Sequence, residues 1–385
     1  MDPKAATREH IDRARSTLVA LSHRIHAHPE LGFEEERAAT WLCETLVDGG
    51  FAADRGVYEL PTAFVARAGS GPLHVAICAE YDCLPGIGHA CGHNVIGSAA
   101  VGAGLALARV ADDVGLTVTV IGTPAEESGG GKILLLERGA FAGIHAAMMV
   151  HPAPIDIADP QMLAWSQFDV HYHGKEAHAS AFPELGINAL DALTIAQTSI
   201  GLLRQHMRPT DRVHGIITKG GDAANVVPAH TSARYMVRAE SSAGLAEIQG
   251  KVMRCFEAGA LATGTQLDIR PAGPPYAEIA HDSQIAALYR KNAEQLGRVF
   301  PPLGSRALAG STDMGNISQA MPSIHPTIGL GCFPIVNHQP EFAAYCATPV
   351  ADQALIDGAV AMAWTAIDLA SDASLRARLT GPSPR

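Results

Sequence analysis

The chain has 385 residues, 47% of them hydrophobic and 17% charged, with 39 acidic against 28 basic residues and a formal net charge of −11. The length exceeds one ordinary core, so two domains are expected, and the composition is that of a folded rather than a disordered chain. The acidic balance and the lack of any Lys/Arg run argue against a nucleic-acid surface and against binding to anionic membranes.

The first 25 residues, MDPKAATREHIDRARSTLVALSHRI, have no apolar stretch after their charges and do not read as a signal peptide. No window reads as the roughly 18 apolar residues of a membrane span. Seven cysteines, at 43, 78, 83, 91, 255, 332 and 346, are odd in number and irregularly spaced. Such spacing does not make a disulfide framework, and the cytoplasm is the expected location.

Residues 8–28 place Ile11, Leu18, Leu21 and Ile25 at helical spacing before Pro29, and a second helix is predicted over Glu35–Val47 with Gly49-Gly50 as its stop. LHVAICAEYD (73–82) reads as a buried strand with a polar end. A helix of small residues follows from about Gly97 to Ala111. LTVTVIGTPAEE (116–127) is a second strand of the same kind. A helix from about Lys132 to Arg138 precedes HAAMMVHP (145–152), a third strand ending in His151. Strands alternating with helices imply a parallel sheet, whose ligands bind beyond the carboxyl ends of its strands.

Near residue 164 the pattern changes. SQFDVHYHG alternates, a long helix is expected from about Asn188 to His206, and VHGIITKGG and SARYMVRAE read as strands. A helix from about Ala243 to Gly259 and the strand QLDIRPA complete an α+β block. From about His281 the chain returns to helix, then to the strand SIHPTIGLG (323–331) and a last helix from about Asp352 to Leu369, with a frayed tail expected after Ser371. The simplest arrangement is one α/β domain interrupted by an inserted α+β domain.

Chemistry gathers where the first block's strands end. In GHACGHN (88–94), Cys91 and His93 stand at i and i+2 in a glycine-containing loop, close enough to face one transition-metal ion. A buried thiol beside an incidental histidine, and a catalytic Cys–His pair, are the competing readings. In TPAEES (123–128), Glu126 and Glu127 point in different directions, so one can bind metal while the other serves as a base; two solvated acids at a helix start give the same letters. His151 ends a strand, where a structural histidine is the commoner finding. Asp82 can orient a ligand histidine through its second ring nitrogen, or cap a turn. His338, in NHQPEF, says nothing alone. The glycines of ITKGGDAAN lack the order of a phosphate-binding loop.

Taken in order, AEYDCLPGIGHACGHN, GTPAEESGGGK, VHP, GKEAHAS, GINALDA, NVVPA, GSTDMGN and HQPEF resemble the M20 metallopeptidases and amidohydrolases. The subgroup they resemble holds auxin-conjugate hydrolases, aminobenzoyl-glutamate hydrolase and dipeptidases of the β-alanyl-lysine kind. The likeness runs from about His26 to the last helix.

The resemblance implies a three-layer α/β catalytic domain of the zinc-peptidase kind, residues 1–163 and 279–385, with residues 164–278 as an inserted α+β lid and dimerisation domain. It implies Cys91, His93, Glu127, His151 and His338 as ligands of two divalent ions, with Cys91 bridging. Zinc suits that donor set, and manganese or cobalt is compatible with it. Glu126 takes the place of the general base. His178 matches a histidine that reaches a neighbouring subunit's site to stabilise an oxyanion, and Asn225 and Arg238 match positions that hold the substrate. The expected reaction is hydrolysis of an amide bond in a small dipeptide, an N-acyl amino acid or an aminobenzoyl-glutamate type amide, by a homodimer. His89 has no ligand role in this reading. Asn94 replaces the subgroup's more common Asp, which leaves open what tunes His93. GSTDMGN is a loop near the site whose Gly and Ser meet substrate through backbone. A silent metal-binding scaffold and a cysteine hydrolase using Cys91 remain as alternatives.

Overall fold

The structure is a computed structural model that describes residues 2–127, 129–302 and 310–381. The chain divides into two compact units. One holds the chain up to Gln161 and again from Ile279, and the other runs from Met162 to Glu278.

The first unit is built on a mixed six-stranded sheet. Its order is Ala52–Arg55, Phe64–Ala68, Leu116–Gly122, Leu73–Ala79, Ala146–Met148 and Ser323–Ile324. The last four strands run parallel, and the first two are antiparallel. That antiparallel pair is joined by only the residues between Arg55 and Phe64, too few for a crossover, so a hairpin is the available connection. Sequence reading missed both strands, since the edge strand AADR carries no periodic apolar signal.

Leu116–Gly122 is buried along its whole length, as a strand covered on both faces must be. Alternate residues feed two cores. Val75, Ile77 and Ala79 join Leu18, Val101 and Leu355, while Ala76 and Cys78 join Leu135, Phe141 and Ile317. Helices therefore cover both faces, the three-layer arrangement expected.

Several element boundaries differ from those read in the sequence. The small-residue helix is His93–Ala108 and starts four residues early, so His93 is its first residue rather than part of a loop. The third predicted strand is two strands: Ala146–Met148 pairs in the main sheet, whereas His151–Ala153 pairs with Thr327–Gly329. His151 thus begins a strand instead of ending one. The last long helix is Pro349–Ser371, long and apolar enough to span a membrane, but 83% of its apolar 18-residue window is buried inside the protein, which makes it a core helix. The described residues after it, up to Gly381, continue as an ordered helix rather than the frayed tail expected. Asp372 accepts the N–H groups of Ser374 and Leu375 at 2.8 and 3.0 Å and starts the helix Ala373–Thr380, whose Arg378 holds Asp282 at 2.6 and 3.1 Å.

The second unit is a four-stranded antiparallel sheet in the order Gln266–Pro271, Ala164–His173, His230–Ala239, Arg212–Lys219. One face packs Phe168, Val170 and Tyr172 against the helices Ala189–Leu203 and Ser242–Thr263. The edge strand Arg212–Lys219 leaves Ile216 and Ile217 65% and 46% exposed.

Candidate metal centre

Three parallel strands of the first unit end at one edge, and the next residues of each supply the site. Beyond Ala79, Glu80 and Asp82 both face the His93 ring, at 3.4 and 2.9 Å, and Tyr81 between them donates its hydroxyl to the Thr62 carbonyl at 2.7 Å, all three side chains being buried. Beyond Gly122, Ala125 adopts φ 57° and its N–H donates to buried Glu35 Oε1 at 2.8 Å. The N–H groups of Gly129 and Gly130 both reach the Ala125 carbonyl at 2.9 Å, forming a tight turn that presents Glu126 and Glu127. Gly131 closes it: a Cβ there would stand 1.8 Å from the Pro124 carbonyl oxygen.

Gly92, at φ 78°, turns the chain from Cys91 into the helix at His93, and a Cβ there would meet Pro152 at 2.9 Å and Cys346 Sγ at 3.1 Å. His338, itself at φ 68°, is tied to the same loop by its N–H to the Ala90 carbonyl at 2.9 Å. Donors from four distant segments therefore meet. Cys91 Sγ lies 3.5 Å from both His151 Nε2 and His338 Nε2. Glu127 lies 3.6 Å from His338 Nε2 and 3.8 Å from His93 Nε2, and Glu126 4.0 Å from His93 Nε2. Cys91, His93 and His151 form one group with donor atoms within 4.8 Å; Cys91, Glu127 and His338 form another, so the thiol belongs to both.

Hydrogen bonds set the ring tautomers. His93 donates Nδ1–H to Asp82 Oδ1 at 2.9 Å, and His151 donates Nδ1–H to the Pro152 carbonyl at 2.8 Å. Each imidazole thus turns Nε2 toward the other donors, the arrangement found when a carboxylate or carbonyl orients a metal-binding histidine. Asn94 points elsewhere: its amide donates to Ser22 Oγ and the Cys346 carbonyl, both at 2.9 Å. Asp82, rather than residue 94, tunes His93.

The electrostatics are those of a buried cluster rich in carboxylates. Burial, reinforced by the carboxylates of Glu80 and Glu127, pushes the Glu126 carboxyl well above its ordinary range, and burial also raises that of Glu127. Burial and then Glu127 push the Cys91 thiol up. Burial opposes charge on His93, but Asp82 outweighs it and lifts that imidazole well above its usual value. Burial depresses His151 to about 4. His93 Nε2, Glu127 Oε1 and Glu80 Oε2 are buried without hydrogen-bond partners. Such orphans are costly unless an unseen group satisfies them, and the mixture of thiol, imidazole and carboxylate suits a divalent transition metal.

Sequence reading missed a buried charge network beside these donors. Lys132, fully buried, donates to Glu80 and to Asp313 Oδ1 at 2.8 Å, while its backbone N–H reaches Asp313 Oδ2 at 2.9 Å. Burial would raise the Glu80 carboxyl, but Lys132 pulls it down to about 2. Asp313, raised by burial to about 6, belongs to the GSTDMGN loop, which acts here through a carboxylate. Asn337, also missed, donates to the Pro152 carbonyl at 3.0 Å. The only hint of these residues was their place inside the quoted motifs. His89 stays outside the donor groups: its ring is buried with both nitrogens unpaired and burial depresses it to about 3.

In the second unit, exposed His178 accepts the N–H groups of Ser180 and Ala181 at Nδ1 (3.4 and 3.3 Å), leaving Nε2 as an outward donor. Asn225 is exposed alongside, its carbonyl accepting the N–H of Ala179 at 3.0 Å. Arg238 is not with them. It pairs in register with Trp165, eight residues along the sheet from the His173–His230 pair that borders the His178 segment, roughly 26 Å at 3.3 Å per residue.

Residues 76–353, more than half of the chain, match peptidase family M20/M25/M40. The chain belongs to this family and is a hydrolytic enzyme. It is 38% identical to the Xaa-Arg dipeptidase of Mus musculus over 95% of this chain and 88% of that protein. It is 35% identical to one of the subunits of the p-aminobenzoyl-glutamate hydrolase of Escherichia coli, over 67% of this chain and 58% of that one. A solved dinuclear metal-binding peptidase of family M20 from Bacillus subtilis shares the fold, with a TM-score of 0.65 at 21% identity over 91% of this chain and 98% of that one. These relatives fall in the subgroup that the motifs resemble.

Proposed function

We propose that this enzyme hydrolyses the amide bond of a small dipeptide or N-acyl amino acid with a free carboxylate, using two divalent ions. The observation that carries the proposal is the meeting of Cys91, His93, Glu127, His151 and His338 with two ring nitrogens already turned inward by Asp82 and the Pro152 carbonyl. Those five residues would hold the ions, and zinc suits a site containing a thiolate and three imidazoles. Ions bound there supply a water of lowered pKa and polarise the scissile carbonyl.

Glu126 accepts the water proton at a carboxylate oxygen and delivers it to the leaving nitrogen. Its raised affinity for protons, caused by burial and neighbouring carboxylates, suits both transfers. His178 donates Nε2–H to the carbonyl oxygen as it gains charge. Arg238 binds the substrate carboxylate, since charge-assisted bonds are the strong ones. A dipeptide cannot span the distance between His178 and Arg238 of one chain, which favours a homodimer whose partner contributes His178 and Asn225. The exposed edge strand with Ile216 and Ile217 is a surface suited to such pairing. The leaving residue includes basic amino acids, in keeping with the Xaa-Arg dipeptidase likeness. Seven unpaired cysteines are in keeping with a cytoplasmic site of action.

A thiol mechanism fares worse. Burial and Glu127 disfavour the Cys91 thiolate, the reverse of what a nucleophilic cysteine needs. A panel of Xaa-Arg, Xaa-Lys and N-acyl substrates, assayed with metal-reconstituted wild type and Glu126→Gln, tests the proposal. Turnover that vanishes in the variant is expected. Failure of the wild type to cleave any of them would refute it.

A further inference from the structure

We propose that Glu80 is a direct ligand of a divalent ion held at His93, a sixth donor beyond the five named above, and that Lys132 fixes it for that task. The proposal rests on the metal-dependent reading. Its ground is the pair of orphaned atoms Glu80 Oε2 and His93 Nε2, both in fully buried side chains and 3.4 Å apart. A direct charge-assisted hydrogen bond between them would run near 2.7–2.9 Å. Two donors each about 2.1 Å from a tetrahedral ion stand ~3.4 Å apart. The other carboxylate oxygens facing the same nitrogen, from Glu127 and Glu126, lie farther off at 3.8 and 4.0 Å.

The surroundings leave Glu80 one direction to act. Its Oε1 is taken by the Lys132 ammonium, which Asp313 anchors from the other side through both Nζ and backbone N–H. Oε2 is the remaining acceptor, and it faces His93. Glu80 and Asp82 are separated by one residue, so a single segment grips both ring nitrogens: Asp82 orients Nδ1 and Glu80 meets what Nε2 binds. With Glu80 and Glu127 as ligands, Glu126 is left to proton transfer.

Anomalous diffraction from crystals of the zinc-loaded wild-type protein tests this directly. Glu80 Oε2 is expected at about 2.0–2.2 Å from an ion. Two bound ions with Glu80 more than about 3 Å from both overturn the proposal and leave the metal-dependent reading standing, since no Zn–O bond is that long. A wild-type protein that takes up no divalent ion overturns both. In parallel, zinc titration of Glu80→Gln, which keeps the side chain's shape, should show one ion weakened at least ~10-fold and the other unchanged. Wild-type affinity for both ions in that variant would overturn the assignment; should the variant fail to fold, as a melting curve of the apo form reports, the diffraction result decides.

Discussion

Asp82 Oδ1 lies 2.9 Å from His93 Nδ1, and the second oxygen of the same carboxylate accepts the Glu127 backbone N–H at 3.0 Å. One side chain thus aligns two of the five proposed ligands, one through its ring and the other through its backbone. Asp82→Asn keeps the size but loses the charge and one acceptor. Metal affinity should fall about 10–100-fold, the usual cost of removing an outer partner of a ligand histidine. Competition against a calibrated chelator measures it, and unchanged affinity would show that His93 needs no such support.

Glu126→Gln removes the proton carrier and leaves the five proposed ligands in place. General acid–base catalysis commonly contributes about 10²–10⁴-fold, so kcat should drop by at least that range while bound metal and KM stay near wild type. A parallel loss of metal would reassign Glu126 as a ligand.

Lys132 has no solvent exposure and balances Glu80 and Asp313. Lys132→Met strands two buried carboxylates. Breaking a buried pair in this way costs about 3–5 kcal/mol, and the melting temperature of the metal-free protein should fall accordingly. A melt within a degree or so of wild type would mean that the network is not needed for folding.

Glu35 offers a pH test at a residue that is not itself a proposed ligand. Burial raises its carboxyl from 4.5 to about 7, and the Asp82 charge adds to the rise. A carboxyl whose folded pKa is raised stabilises the protein while protonated. Its contribution is full below pH 4.5 and is lost as pH climbs through 7. A shift of this size corresponds to something on the order of 3 kcal/mol. Glu35→Gln, which still offers an oxygen to the Ala125 N–H, should therefore be more stable than wild type at pH 8 and lose that advantage at pH 4.5. Urea melts of the metal-free proteins at both pH values decide it.

The shared-site proposal predicts complementation. Glu126→Gln and His178→Ala are each inactive alone. Mixed and allowed to exchange subunits, half the dimers are heterodimers, each with one intact site, so about a quarter of wild-type activity should return. No recovery, with exchange verified, would place His178 in its own chain's site or outside catalysis.

Much of this was legible in the chain. Buried strands such as LTVTVIG announce themselves by unbroken apolar residues, and the charged letters just beyond them mark a sheet's ligand edge. What stayed hidden has physical causes. The helix at His93 starts early because Gly92 supplies a left-handed turn that propensity does not reveal. Lys132 and Asp313 look like ordinary surface charges in the sequence, and only tertiary packing shows that they pair with each other and with Glu80 inside the core. The split between Ala146–Met148 and His151–Ala153 depends on which strand each half pairs with, a long-range choice that no local pattern records.

The most direct test of the central claim is the metal content of the purified protein alongside its amidohydrolase activity. About two divalent ions per chain are predicted, with turnover abolished by stripping them and restored when zinc, manganese or cobalt is returned. Full turnover in protein shown to be free of metal would contradict the account.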